Sequence, residues 1–256
     1  VKPSEPTPDY HSATGVEATR AERCHIVDDP AGGGGKALEV FYPEDEILGI
    51  NERVYLENAV GYEPRVAHAR FELFFPEDWQ TWDDGINGGT KLPGWADHRG
   101  TEEDPGGAAG GNHNQGASYS MRMGSPCQGG IHDASGGAEV PFLSQVYDAT
   151  VDPDEHKHGW HHCWTEGGSK GEWTTIDYRI TLNTPGVPDG RLEGWVNGVK
   201  AWDYDEYLFL EEEFADRGIP YWRRHYHFGG DWGSPVDNDL YERNLSIWVD
   251  DNVPEM

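Results

Sequence analysis

The chain has 256 residues, with 47 acidic and 19 basic side chains and a net charge of −28. That balance excludes a general nucleic-acid binder, because phosphate contacts need Lys and Arg patches. An aromatic content of 12%, including 11 Trp, excludes a disordered chain although only 36% of residues are apolar. No stretch approaches the ~18 consecutive apolar residues of a membrane-spanning helix. The acids are spread along the chain, as in PEDEIL, TEEDP, DYDEY and EEEFAD. An acidic surface everywhere reads as adaptation to molar salt, where the Debye length falls to about 3 Å and self-repulsion is screened.

In chain order, residues 1–20 open on a Pro-, Ser- and Thr-rich stretch (VKPSEPTPDYHSAT) that reads as a flexible tether. A secreted, extracellular protein is the expectation. Residues 21–256 read as one domain dominated by short strands. The candidates are 37–43, 65–75, 117–123, 142–149, 159–164, 172–183, 190–198, 199–209, 224–230 and 245–251. In 172–183 the residues Trp173, Ile176, Tyr178, Ile180 and Leu182 mostly alternate, which gives one buried face. Pro188-Asp189-Gly190 and Val196-Asn197-Gly198 are turn signals that join successive strands as hairpins. The best helical signal is one or two turns over 211–217. Residues 85–116 form the longest irregular, Gly-rich stretch, of the kind that is functional when it occurs inside a compact domain. Strands joined by Gly-rich loops predict an all-β, two-sheet antiparallel sandwich or jelly roll. Cys24, Cys127 and Cys163 allow at most one intrachain disulfide and leave the pairing open.

Several segments, in order, resemble the β-jelly-roll polysaccharide lyases of the alginate lyase and glucuronan lyase families. Gly88-Gly89-Thr90-Lys91-Leu92-Pro93-Gly94 resembles their Gly-Gly-Lys-Leu-Pro-Gly segment, with Thr90 inserted. ARFELFFPEDW (69–79) resembles the strand before it, and Tyr119-Ser120-Met121-Arg122 resembles an aromatic-Ser-x-Arg strand. Gln145-Val146-Tyr147 stands where those lyases often show Tyr-x-Tyr, so Gln145 is a departure. GEWTTIDYRITLNTPGVPDGRLEGWVNG (171–198) and HFGGDWGSPVDN (227–238) resemble their late hairpin and closing Phe-Gly-Gly segment. The resemblance spans about residues 24–251 and implies cleavage of a uronic-acid polysaccharide by β-elimination.

Elimination removes the proton on C5 and breaks the bond to the C4 oxygen. The C6 carboxylate must be neutralised, and a base near C5 and an acid near the leaving oxygen are needed. Lys91 and Arg122 are cations inside matched motifs: Arg122 is expected to pair with substrate carboxylate, and Lys91 to stabilise charge or set the protonation of a tyrosine. The plain alternative is that both bridge surface acids. Tyr147 is the candidate base, acid or both, with Gln145 on the same strand face and Ser120 sharing a face with Arg122. His113, in the Gly-rich loop, is the rival base, and Asn112 and Asn114 beside it are candidates to hold the carboxylate. His225 and His227 alternate on one strand and are placed among substrate-binding residues. Trp95, beside the Lys-Leu-Pro-Gly segment, is placed there as a stacking platform.

His156, His158, His161, His162 and Cys163 invite a zinc reading. In a regular strand, however, His161 and His162 point to opposite faces, so no metal is assigned to the site. No cofactor is required, and a structural calcium is allowed for by acid pairs such as Asp28-Asp29 and Asp250-Asp251. The expected partner is an anionic polysaccharide, bound by a monomer. The rival readings are a carbohydrate-binding, lectin-like module and a glycoside hydrolase on a similar sandwich.

Overall fold

A computed structural model describes residues 23–80, 90–97, 119–125, 139–151, 159–228 and 233–252. The predicted tether therefore lies outside the described residues. The strands are β1 (Cys24–Asp28), β2 (Lys36–Tyr42), β3 (Leu48–Tyr55), β4 (Val66–Phe74), β5 (Thr90–Asp97), β6 (Tyr119–Ser125) and β7 (Glu139–Tyr147). They continue with β8 (Trp160–Ser169), β9 (Trp173–Thr181), β10 (Gly190–Val196), β11 (Val199–Tyr207), β12 (Tyr221–Phe228) and β13 (Asn238–Val249). A single-turn helix, α1 (Glu57–Val60), follows β3. The helical signal at 211–217 shrinks to a 3-10 turn at Glu212–Phe214.

The strands form a seven-stranded sheet, β1-β2-β13-β4-β9-β10-β11, and a six-stranded sheet, β3-β12-β5-β6-β7-β8. Every ladder is antiparallel, and the chain crosses repeatedly between sheets, as the predicted jelly roll requires. Local chemistry agrees with the architecture. Asn197 and Gly198 both take positive φ (49° and 81°), the two-residue turn that matches the twist of β10 and β11. Asp189 accepts from Thr184 N at 2.6 Å and Thr184 Oγ1 at 2.8 Å, which closes the β9–β10 connection.

The core fills the space between the sheets. Phe71, Leu73, Ile176, Tyr178, Ile180 and Leu192 face Leu92, Trp95, Met123, Phe142, Val146, Trp222 and Phe228, all buried. One charged cluster is also enclosed. Arg224 donates to Glu52 Oε2 at 2.9 Å and reaches Glu242 Oε1 at 2.8 Å, and the Tyr226 hydroxyl donates to Glu242. This links β12 to its neighbour β3 and, across the sandwich, to β13. A buried guanidinium between two carboxylates is strongly held in its charged form, and removing one partner would strand the others.

Candidate active site on the outer face of the six-stranded sheet

Residues paired across an antiparallel ladder share a face. Because Trp222, Trp95, Met123, Val146 and Trp164 point into the core, the alternate positions of β12, β5, β6, β7 and β8 lie on the outer face. Register then builds two rows across the sheet. One runs Arg53, Arg223, Gly94, Arg122, Gln145, His161. The next runs Tyr55, Tyr221, Ala96, Ser120, Tyr147. Further along β12, His225 pairs with Asn51, and His227 pairs with Lys91, which itself pairs with Gly124. In a chain with 47 acids and 19 bases, these positions carry Arg53, Arg223, Arg122 and Lys91 and not one Asp or Glu.

The face turns away from the core and is nonetheless shielded. Tyr147 is 3% exposed, Gln145 7%, and Arg223, His225 and His227 are buried as well. Gln145 Nε2 donates to the Tyr147 hydroxyl at 3.0 Å. Arg223 Nε donates to Asn51 Oδ1 at 3.2 Å. The rings of His225 and His227 meet at 4.0 Å, and His227 Nδ1 lies against the Phe228 carbonyl. Burial pushes the Tyr221 hydroxyl up to about 12, against the lowering fields of Arg53 and Arg223. Gly159, at φ 70°, fixes the back of the Tyr147 ring: a Cβ there would sit 3.0 Å from the ring and 2.4 Å from the Val146 carbonyl oxygen.

No protein-family profile and no curated protein sequence matches the chain. Solved structures do. Alginate lyase Aly36B is 20% identical over 86% of this chain and 82% of its own, with a TM-score of 0.62. The marine PL-14 alginate lyase from Aplysia kurodai is 16% identical over 88% and 87%, with a TM-score of 0.64. The endo-β-1,4-glucuronan lyase from the fungus Trichoderma reesei is 13% identical over 95% and 94%, with a TM-score of 0.55. The fold is that of the alginate and glucuronan lyases. Identities this low carry the fold across, and the chemistry has to be argued from residues.

On this lyase fold, Tyr147, Gln145, Lys91, His225 and His227 lie on one face of the six-stranded sheet. Backbone register puts Arg122 and Ser120 there too. His113, Asn112 and Asn114 lie outside the described residues. Trp95 is a correction. It is 0% exposed, its ring meets Trp222 at 4.6 Å, and Nε1 donates to the Tyr178 carbonyl at 3.3 Å. Strict alternation from Lys91 would put Trp95 outside, but the ladders slip by one residue between Lys91 and Gly94. This bulge reverses the parity, so Gly94 stays on the face of Lys91 and Trp95 turns inward. The 85–116 stretch is also corrected, since it contains β5.

Sequence reasoning missed Arg223, Tyr221, Asn51, Arg53 and Tyr55. Extending the His225/His227 alternation backwards by two and four residues would have found the first two. His161 and His162 do face opposite ways: His161 pairs with Gln145, while His162 stacks on Tyr204 at 5.2 Å, and burial lowers its pKa against the field of Asp148. Among the described residues no group of three or more His, Cys, Asp or Glu is placed to hold a metal. Asp29 instead engages Arg243 at 2.7 Å and Trp173 Nε1 at 2.9 Å, and Asp250 accepts from the backbone N–H groups of Arg65 and Val66. Cys163 is in a disulfide and Cys24 is a thiol; Cys127 lies outside the described residues. No described helix is long and apolar enough to cross a membrane.

Proposed function

We propose that this chain is a polysaccharide lyase that cleaves a uronic-acid polymer of the alginate or glucuronan type by β-elimination. The observation that carries this reading is the stretch of outer face around Gln145 and Tyr147, where three cations, Lys91, Arg122 and Arg223, and no acids occupy paired positions of a strongly acidic chain. A substrate carboxylate is attracted there at contact, and low exposure strengthens each electrostatic interaction. Arg122 and Gln145, opposite one another, are assigned to the carboxylate at C6, with Arg223 in the same row. Neutralising that carboxylate acidifies the proton on C5.

Tyr147 is assigned the proton transfer. Its oxygen accepts from the Gln145 amide at 3.0 Å, a donor placed to steady negative charge as it develops there. As phenolate it takes the C5 proton. The electron pair forms the C4–C5 double bond, the C4–O bond breaks, and the Tyr147 hydroxyl so formed returns its proton to the departing oxygen. Lys91, further along the strands, is assigned to the carboxylate of a neighbouring uronate. His225 and His227 are assigned to substrate hydroxyls beside Lys91, and Ser120 to the sugar over the second row. Secretion, a monomeric state and work in molar salt fit the charge of the chain, and salt removes the long-range repulsion between an acidic enzyme and an anionic polymer.

The test is ultraviolet absorbance of the unsaturated uronate, with alginate, glucuronan and other polyuronates in parallel, at low and molar salt. A rise with one polymer, larger in high salt, is the expected outcome. New reducing ends without absorbance would instead mean hydrolysis. That reading needs two carboxylates about 5–9.5 Å apart facing the substrate, and the rows contain none. Retardation on a polyuronate gel without cleavage would mean a binding module.

A further inference from the structure

The rows continue past the reacting groups to β3, and there the shielding ends. Arg53 and Tyr55 are only half-buried, whereas Arg223 and Tyr221, their neighbours on β12, are buried. A pocket of about 430 Å³ opens at this place, lined by Arg53, Tyr55, Asn58, Glu63 and Tyr221 among others. Its volume falls within the ~300–1,000 Å³ of small-molecule sites. The guanidinium of Arg53 lies 4.9 Å over the Tyr221 ring, and Nη1 is 3.5 Å from the Tyr55 hydroxyl. The two tyrosine rings meet edge-on at 5.5 Å. Stacking holds the planar fork in place before any ligand arrives.

Arg53 is the single cation of the lining, which otherwise offers acceptors: Asn58, Glu57 and Glu63, the last already accepting from Gly218 N at 3.1 Å. A uronic-acid residue has the complementary set, one carboxylate and several hydroxyl donors. We propose that this pocket is a distal subsite for one uronosyl residue of the polymer. Arg53 takes its carboxylate, Tyr55 carries the ring, and Asn58 with the rim carboxylates accepts from its hydroxyls. This rests on the polyuronate reading and extends it. β3 lies three strands from β6 and four from β7. At about 4.8 Å per strand, that puts Arg53 ~14–19 Å from Arg122 and Gln145, and a 1,4-linked pyranose chain advances about one residue per strand crossed. The polymer therefore runs across the strands, and the pocket holds a sugar three or four units from the scissile bond.

The test compares kcat and KM on uronate oligomers from trimer to hexamer for the wild type, Arg53→Met and Asn58→Ala. Asn58 is exposed on α1, so its variant keeps the fold. Expected for Arg53→Met is a roughly tenfold rise in KM on the hexamer with kcat within about twofold, and no change on the trimer; Asn58→Ala should show a smaller rise of the same kind. Equal losses on both lengths, or no loss on the hexamer, would overturn the proposal. If the wild type cleaves no polyuronate, the lyase reading fails first. Calorimetric titration with hexamer then decides the pocket: about tenfold weaker binding by Arg53→Met sustains it, while equal binding, or none by either chain, removes it.

Discussion

The two outer faces of this sandwich treat charge in opposite ways. On the seven-stranded sheet, basic side chains meet carboxylates of the same face: Arg70 and His68 both reach Asp177, at 2.7 and 2.6 Å. Arg191 and Lys200 both reach Asp203, at 2.6 and 2.9 Å, and Arg243 reaches Asp29 and Glu72. In the two rows across the outer face of the six-stranded sheet the paired positions carry Arg, His, Gln and Tyr without acids, the exposed Glu139 lying at the far end of β7, and Arg223 donates to an amide and Gln145 to a phenol. A face whose charges are matched internally asks for no ligand. A patch without acids, in a chain otherwise full of them, is complementary to an anion brought from outside.

The largest expected effect tests the ligand-seeking face. Tyr147→Phe should lower kcat by about 10²–10⁴-fold, while the lost hydrogen bond from Gln145 costs the fold only about 1 kcal/mol. Full activity in a folded Tyr147→Phe chain would take Tyr147 out of the mechanism. Asp177→Ala tests the matched face. It strands a fully buried His68 and unpairs Arg70, so urea unfolding should show a loss of about 2–4 kcal/mol, with kcat per folded molecule unchanged. A change in kcat would mean that the two faces are coupled.

Gly159→Ala joins packing to chemistry. Its Cβ meets the Val146 carbonyl and the Tyr147 ring at positive φ, which should cost about 1–3 kcal/mol and reduce kcat. The same substitution on a Tyr147→Phe background should cost stability but no further activity; additive kcat losses would show that it acts elsewhere. The smallest effect falls at a break in the matched face. Burial, then Glu39, Asp78 and Asp237, push the Asp239 carboxyl up to about 6. Its native pKa lies above the unfolded value near 3.9, so its ionisation works against the fold. The stability it contributes is complete below about pH 4 and is lost as pH rises through about 6. Asp239→Asn should therefore stabilise at pH 7, by under about 1 kcal/mol because the group is half exposed. The gain should vanish at pH 4 and shrink in molar salt, as urea midpoints at the two pH values would show.

The strands that alternate cleanly were legible in the sequence: 172–183 became β9, and 199–209 became β11 beyond its Asn-Gly turn. In the site, Gln145/Tyr147 and His225/His227 were readable because a period of two fixes their shared face. β3 was hidden because its alternation is broken on both sides. Asn51 and Arg53 occupy the outer face, and Glu52 occupies an inward position that is tolerable only because Arg224 meets it inside. β12 hid its first residues for the same reason, with Arg223 and Arg224 adjacent but on opposite faces. Pairing across strands, which assembles Arg53, Arg223, Arg122 and Gln145 into one row, brings together residues far apart in sequence and leaves no local pattern.

The slip in β5 has a consequence for how chains of this fold diverge. A strand presents alternate residues to alternate sides, so losing or gaining one residue near Pro93 exchanges the whole set beyond it. Trp95 would trade the interior for the outer face, and the small residues Gly94 and Ala96 would turn into the core. Substitutions change a binding surface by degrees, whereas an insertion or deletion here changes it in a single jump. Lineages that differ by one residue at this point should thus fall into two discrete groups of outer surface with no intermediate forms between them, however closely the rest of their strands agree.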